Sequence, residues 1–292
     1  MTRRILITGG TGQIGIELAR QGWPGDVDLL IPTRGELDIG SAESVATWFA
    51  AHDVAAVINC AAYTAVDMAE SEVEAAYRAN ATGPKLLAEA SAQAGVPIVH
   101  VSTDYVFDGA KHGAYSESDP TAPLGVYGAS KLAGERAVAA GNARSLILRT
   151  AWVVSAHRGN FLKTMLRAGA ANTKLRVVAD QIGCPTSARD VAEALRIVTL
   201  RMIEDVGTSA GLYHFVNAGE ASWHGLATEI FAQAGMMVEV EAITTAEWPT
   251  PAKRPAHSRL STAKIAADYG IRPRDWRAAV RDIVDEMMGA DT

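Results

Sequence analysis

Apolar and polar positions alternate along the first half of the chain in a regular way. Short runs rich in Ile, Val and Leu at 5–8, 29–32, 55–60, 97–103 and 146–149 have the length of strands. Between them lie longer stretches with apolar residues at helical spacing, over 13–21, 41–50, 75–94 and from about residue 127 onward. Ser41 suits a helix cap and Gly95 a helix stop. Strand and helix taking turns predict parallel strands joined by right-handed crossovers, hence an α/β fold with a doubly wound parallel sheet of Rossmann type.

Beyond residue 150 the pattern loosens. Helices are expected at 161–171, 190–202, 222–234, 262–269 and 275–288, with strands at 175–178 and 212–216. Residues 1–150 are therefore expected to form the Rossmann domain. Residues 151–292 should form mainly a smaller C-terminal α/β lobe, with the chain returning to the first sheet within 175–235. No linker, internal repeat or low-complexity segment marks the boundary.

The turn after the first strand carries the first chemistry. Residues 8–15 read T-G-G-T-G-Q-I-G, with Gly9, Gly12 and Gly15 at a constant three-residue spacing. Glycine permits a positive φ and lets a pyrophosphate approach the backbone, and the following helix presents free N–H groups there. A dinucleotide is predicted at this turn. After the second strand, an acidic residue would hold a ribose 2′-hydroxyl and repel a 2′-phosphate. The chain has Thr33 and Arg34 instead, so NADPH is favoured over NADH.

Tyr127 and Lys131 stand one helical turn apart and so share a face, and Thr103 closes the fourth strand at the carboxyl edge of the sheet. A ketone that accepts hydride needs a proton on its oxygen. A phenol titrates too high to be a matched acid/base at neutral pH, and a nearby ammonium lowers it. A neutral hydroxyl can polarise the carbonyl without competing for the proton. Glycine turn, strand-end hydroxyl and Tyr–Lys pair, in that order, point to a reductase.

Composition narrows the field. The 292 residues carry a formal charge of −6 and are 48% hydrophobic and 21% charged, which gives no field for nucleic acid. Without a secretory leader or an apolar stretch of spanning length, the expectation is a cytoplasmic protein with no membrane contact. Cys60 and Cys184 lack metal-ligand spacing, His100 suits a buried strand, and His112, His157, His224 and His257 are scattered, so no metal site is assigned. Asp67, Glu70, Glu72 and Glu74 read as a solvated loop face, and Trp223, Trp248 and Trp276 as lobe packing.

Several stretches together carry a resemblance. They are A-A-Y-T-A-V-D at 61–67, V-S-T-D-Y-V-F-D-G at 101–109 and P-L-G-V-Y-G at 123–128. R-T-A-W-V at 149–153, D-Q-I-G-C-P-T at 180–186 and R-P-A-H-S-R-L at 254–260 complete the set. The chain resembles the extended short-chain dehydrogenase/reductase superfamily along its whole length, and within it the dTDP-4-dehydrorhamnose reductases. The resemblance implies reduction of the C4 ketone of dTDP-6-deoxy-L-lyxo-4-hexulose, with Thr103, Tyr127 and Lys131 catalytic. It implies that Gly12, Gln13 and Ile14 meet the pyrophosphate, Asp38 and Ile39 the adenine, and Ala61, Ala62 and Tyr63 the ribose–nicotinamide side. Asp104, Tyr105 and Trp152 match substrate-contacting positions, whereas the loop 154–159 departs from the usual version.

A nucleotide-sugar brings a diphosphate, for which Lys253, Arg254 and Arg259 supply local positive charge. Asn160 suits either a helix cap or a diphosphate donor. Some members of the family use a divalent ion at a dimer contact of acidic side chains. The resemblance thus admits a homodimer and Mg2+, but Glu17, as a single helix carboxylate, reads as solvated and does not call for the ion. Two alternatives remain: a reductase or epimerase of another nucleotide-linked ketosugar, and a non-catalytic NAD(P)-binding regulatory subunit. A dehydratase would need an acidic pair after Thr103, and Asp104 is followed by Tyr105.

Overall fold

The computed structural model describes residues 2–208 and 210–289. Strand β1 (Arg3–Thr8) leads through the glycine turn into α1 (Gln13–Arg20), followed by β2 (Val27–Leu30), α2 (Ala42–Ala51) and β3 (Ala56–Asn59). Next come α3 (Gly83–Gln93), β4 (Ile98–Thr103), α4 (Val126–Gly141) and β5 (Ser145–Thr150). Then α5 (Phe161–Ala171), β6 (Lys174–Val178), α6 (Ala188–Glu204) and β7 (Gly211–His214) follow. The rest is α7 (Trp223–Gln233), β8 (Glu239–Ile243), α8 (Ala263–Tyr269) and α9 (Trp276–Gly289). The main sheet has the order β7-β5-β4-β3-β1-β2, with every pairing parallel.

The apolar runs explain why this sheet is covered on both faces. On β1, Ile5 and Ile7 pack with Val191, Leu195 and Val198 of α6, while Leu6 points to the other face with Trp48 of α2, Leu87 of α3 and Val138 of α4. Strands buried on both sides need apolar residues at successive positions, which is the pattern the sequence shows.

Two elements differ from expectation. The second strand is Val27–Leu30 rather than 29–32, because its ladder starts opposite Arg3 and Pro32 has no N–H to extend it. The long helix expected at 75–94 is broken. Val73–Tyr77 runs into a π turn at Arg78–Thr82 before α3 begins. Pro84 cannot donate to the carbonyl of Asn80, so the helix widens there. The freed carbonyl lies against Gly134 of α4, where a Cβ would sit 2.0 Å from it.

A second cluster gathers Val154, Leu162, Leu226, Ile230, Trp276 and Ile283 between α5, α7 and α9. Beside it β6 and β8 form a separate parallel pair. Between these pieces the chain runs back through α6, which lies on the main sheet, to β7 at its edge. Trp276 is buried, but Trp248 is 56% exposed, because it follows a short 3-10 turn at Thr245–Glu247 outside the clusters. No described helix is long and apolar enough to cross a membrane.

Candidate active site

Two adjoining cavities of about 450 and 630 Å3 run along the carboxyl ends of β1, β3, β4 and β5. The glycine turn forms their shared wall. Gly9 has φ +73°, and a Cβ on it would stand 2.5 Å from the backbone nitrogen of Ala61. A Cβ on Gly15 would stand 2.4 Å from the carbonyl of Gly9. Gly12 starts α1 with no side-chain cap, so the first-turn N–H groups of Gln13, Ile14 and Gly15 have no side chain across them. The dipole of α1 adds positive character at the same place.

Buried amides set the second wall. Asn59 Oδ1 accepts from Thr8 Oγ1 at 2.7 Å and from the Ala61 N–H at 3.1 Å, and its Nδ2 lies 3.0 Å from His100 Nδ1. His100 is thus buried and half satisfied, since its Nε2 has no partner. Asn80, on the π turn, accepts from the Tyr63 N–H at 2.8 Å and donates to the Tyr63 carbonyl and to Ser130 Oγ, both at 3.0 Å. Ala61, Ala62 and Tyr63 are pinned between these two asparagines. Neither was singled out from the sequence. Asn59 was visible as a polar residue inside an apolar run, whereas Asn80 had only the Gly-Pro that follows it as a signal.

Thr33, Arg34, Asp38 and Ile39 line the first cavity. The Thr33 hydroxyl is not free for a phosphate, which corrects the expectation: its Oγ1 and N–H donate to Glu36 Oε2 at 2.8 and 2.7 Å. Those two donors hold the Glu36 carboxyl below its ordinary range. Arg78 pairs with Asp38 at 2.5 Å beside Arg34, so a second guanidinium enters this end from the π turn.

Thr103, Tyr127 and Lys131 all line the second cavity, together with Gly9, Gly12, Gln13, Ile14 and Gly15. Tyr127 lies in the first turn of α4 and Lys131 one turn later. Lys131 Nζ donates to the Val101 carbonyl at 2.7 Å. Burial lowers it to about 8, while Glu135 and Cys60 pull the other way. The phenol of Tyr127 is pushed up to about 12 by burial, against the pull of its hydrogen bond to Thr103. The expected lowering by Lys131 is therefore not what this structure shows: burial and the Asp104 charge raise the phenol, and the ammonium is turned to the Val101 carbonyl. Cys60 is likewise pushed up by burial, to about 12, and stays a thiol.

Asp104 is buried beside this trio. Its Oδ1 accepts from Thr103 Oγ1 at 3.0 Å and Ser258 gives it a further hydrogen bond, but Oδ2 has no partner. Burial raises it to about 6. Tyr105 meets Tyr127 edge-on at 5.4 Å between centroids. Trp152 closes the cleft from the lobe side, with its backbone at φ 49°.

The loop 154–159 lies across the start of α1. Arg158 Nε donates to the Thr11 carbonyl at 2.6 Å, and Gln13 Oε1 accepts from Ser155 Oγ and Asn160 Nδ2, both at 2.9 Å. Asn160 also caps α5, accepting from the Lys163 N–H at 3.1 Å. Its amide is spent on these contacts, and it is not among the cleft-lining residues. Glu17 is 4% exposed rather than solvated, because His157 and Arg20 lie over it at 3.2 and 3.8 Å.

The basic segment and the acidic run meet at one pair, Arg254 with Asp67. Arg254 is gripped by both carboxylate oxygens of Asp67 at 3.0 and 2.8 Å, and Arg259 pairs with Glu220 and the His112 carbonyl. Neither arginine lines the cleft, since each is drawn to a carboxylate at its flank. Glu70 accepts from the Val126 N–H at 2.8 Å, and Glu72 from the Tyr63 hydroxyl at 2.8 Å. Three of the four acidic residues expected to be solvated thus hold specific partners. Among the described residues no group of three or more His, Cys, Asp or Glu is placed to hold a metal ion.

A half-buried, protonated phenol, a hydroxyl and an ammonium converge beside the glycine turn. Such a site can polarise a carbonyl and protonate its oxygen. Residues 3–288 match the family described as RmlD substrate binding domain. A dTDP-4-dehydrorhamnose reductase of Sinorhizobium fredii is 45% identical over 288 residues, which cover 96% of each chain. The crystal structure of a dTDP-4-dehydrorhamnose reductase from Clostridium acetobutylicum is similar at TM-score 0.93 and 38% identity, covering 98% of this chain and 99% of that one. That of the Bacillus anthracis enzyme in complex with NADP is similar at TM-score 0.92 and 35% identity, covering 98% and 100%.

Proposed function

The chain belongs to the RmlD substrate binding domain family, and we propose that it reduces the C4 ketone of dTDP-6-deoxy-L-lyxo-4-hexulose to dTDP-L-rhamnose. The observation that carries this reading is the placing of Thr103, Tyr127 and Lys131 in one cleft with the glycine turn. The names of the full-length relatives supply the substrate.

A nicotinamide dinucleotide fits the cleft: its lining runs from Arg34 past the glycine turn to Lys131, and α1 offers an uncapped start. When bound, it supplies the hydride that goes to the sugar C4. Tyr127 gives its proton to the C4 oxygen and recovers one from solvent. A phenol raised by burial is protonated at neutral pH, as the donor in a reduction must be. Thr103 redirects its hydroxyl from Asp104 to the carbonyl oxygen next to Tyr127, and Lys131 favours the phenolate that forms when the proton leaves. Asp104, with one oxygen unpartnered in the cleft, takes a sugar hydroxyl, and Trp152 covers the sugar from the lobe.

NADPH is assigned over NADH because Arg34 and Arg78 both line the adenine-side cavity. Glu36, held by Thr33, tempers that preference. A regulatory subunit would have no use for the complete trio, so catalysis is preferred. The test is to mix the purified protein with dTDP-6-deoxy-L-lyxo-4-hexulose and NADPH and follow loss of reduced-nicotinamide absorbance, with product analysis. Formation of dTDP-L-rhamnose is expected. No oxidation of NADPH or NADH despite measurable dinucleotide binding would overturn the assignment.

A further inference from the structure

Helix α4 begins at Val126 with Gly125 as its N-cap, and glycine has no side chain to satisfy the first-turn N–H groups. The missing acceptor arrives from far away in the chain. Glu70, half-buried at the end of the short helix Val66–Ala69, places Oε1 2.8 Å from the Val126 nitrogen, across 56 residues. Gly125 is extended, at φ −151°, so its backbone does not require glycine. What requires it is space: a Cβ there would stand 2.5 Å from Glu70 Oε1. A carboxylate at a helix N-terminus is also favoured by the helix dipole.

The residue after Val126 is Tyr127. Later turns of α4 have their own anchors, since Ser130 is held by Asn80 and Lys131 by the Val101 carbonyl. The first turn has Glu70. On the functional reading above, we infer that Glu70 is the positioning residue for Tyr127: it caps the catalytic helix in place of an N-cap side chain and so sets where the phenol stands. The same segment is tied to the second lobe through Asp67 and Arg254, which keeps Glu70 from swinging away.

This role separates turnover from binding. Glu70→Ala should lower kcat about tenfold to hundredfold, the scale of a small misplacement of a reacting group, with KM and the dinucleotide Kd within about twofold of wild type. Glu70→Gln keeps an oxygen acceptor for the Val126 N–H and should recover most of kcat. Gly125→Ala should expel the carboxylate and match Glu70→Ala, and the double variant should be no worse than either alone. Hydrogen exchange read by mass spectrometry supplies an arm free of substrate. In Glu70→Ala and Gly125→Ala, amides at the start of α4 should exchange faster while those around Lys131 keep their protection. If the wild type proved inert on this ketosugar, the functional reading would fail and the exchange arm would still decide the cap. Wild-type kcat and wild-type exchange in Glu70→Ala would overturn the inference. Equal losses of kcat and dinucleotide affinity in Glu70→Ala and Glu70→Gln would also overturn it, since a positioning acceptor predicts rescue by Gln.

Discussion

Trp152 lies flat on Trp223, with ring centroids 3.5 Å apart and planes 4° from parallel. Trp152 holds a left-handed backbone at φ 49°, which costs about 1–3 kcal/mol for a bulky residue, so its surroundings must offset that strain. They do so from two sides. Trp223 is fixed by its Nε1 donating to Gln181 Oε1 at 3.0 Å, and Gly183 leaves the indole of Trp152 room. A Cβ on Gly183 would lie 2.4 Å from Trp152 Cε2. Gly183→Ala should therefore dislodge the indole and destabilise the protein by about 1–3 kcal/mol, the usual cost of overpacking. It should raise KM for the sugar nucleotide more than it lowers kcat. Steady-state kinetics and thermal unfolding check this, and unchanged values of both KM and Tm would refute it.

Tyr127→Phe removes the proposed proton donor and leaves the ring. The expected outcome is a fall in turnover of about 10²- to 10⁴-fold, the share general acid catalysis contributes. Dinucleotide affinity, read by nicotinamide fluorescence, should stay close to wild type. Retained turnover would show that another group delivers the proton.

The pH dependence should be set by Lys131 rather than by Tyr127. Burial has brought the ammonium down to about 8 and the phenol up to about 12. Below about 8 Lys131 is charged; above it the charge that supports phenolate formation is lost. The value of kcat/KM, which reports the free enzyme, should thus fall as pH rises through about 8 while Tyr127 stays protonated. A profile flat to about pH 10 would mean that the Lys131 charge is not needed.

Cofactor choice should respond to Arg34 and Glu36 in opposite directions. Arg34→Ala should weaken NADPH by about tenfold, the scale of one charge-assisted hydrogen bond, and leave NADH nearly unchanged. Glu36→Gln removes the negative charge bound to Thr33 and should shift the preference toward NADPH. Calorimetric titration of both variants with both reduced cofactors measures the ratio. Parallel losses for NADPH and NADH in Arg34→Ala would place Arg34 away from the 2′-position.

Much of the fold and part of the cleft are legible in the sequence, for a local reason. Apolar burial is non-directional, so runs such as 5–8 and 55–60 needed only length and composition to specify strands covered on both faces. The three glycines of the turn, and Tyr127 with Lys131, likewise sit within one turn or one helix, where backbone geometry alone brings them together. Polar partnerships obey a different rule. A hydrogen bond needs a donor and an acceptor about 3 Å apart at a good angle, and nothing in the order of residues states which distant pairs will meet. Asp67 found Arg254, Glu70 found the start of α4, His157 covered Glu17, and the wide turn at Asn80 clamped Tyr63. That Thr103, Tyr127 and Lys131 share one cleft with the glycine turn thus followed from sequence spacing and strand order. Which charges hold those groups in place, and which are left for a ligand, was decided by the tertiary fold, because only packing brings remote side chains to bonding distance.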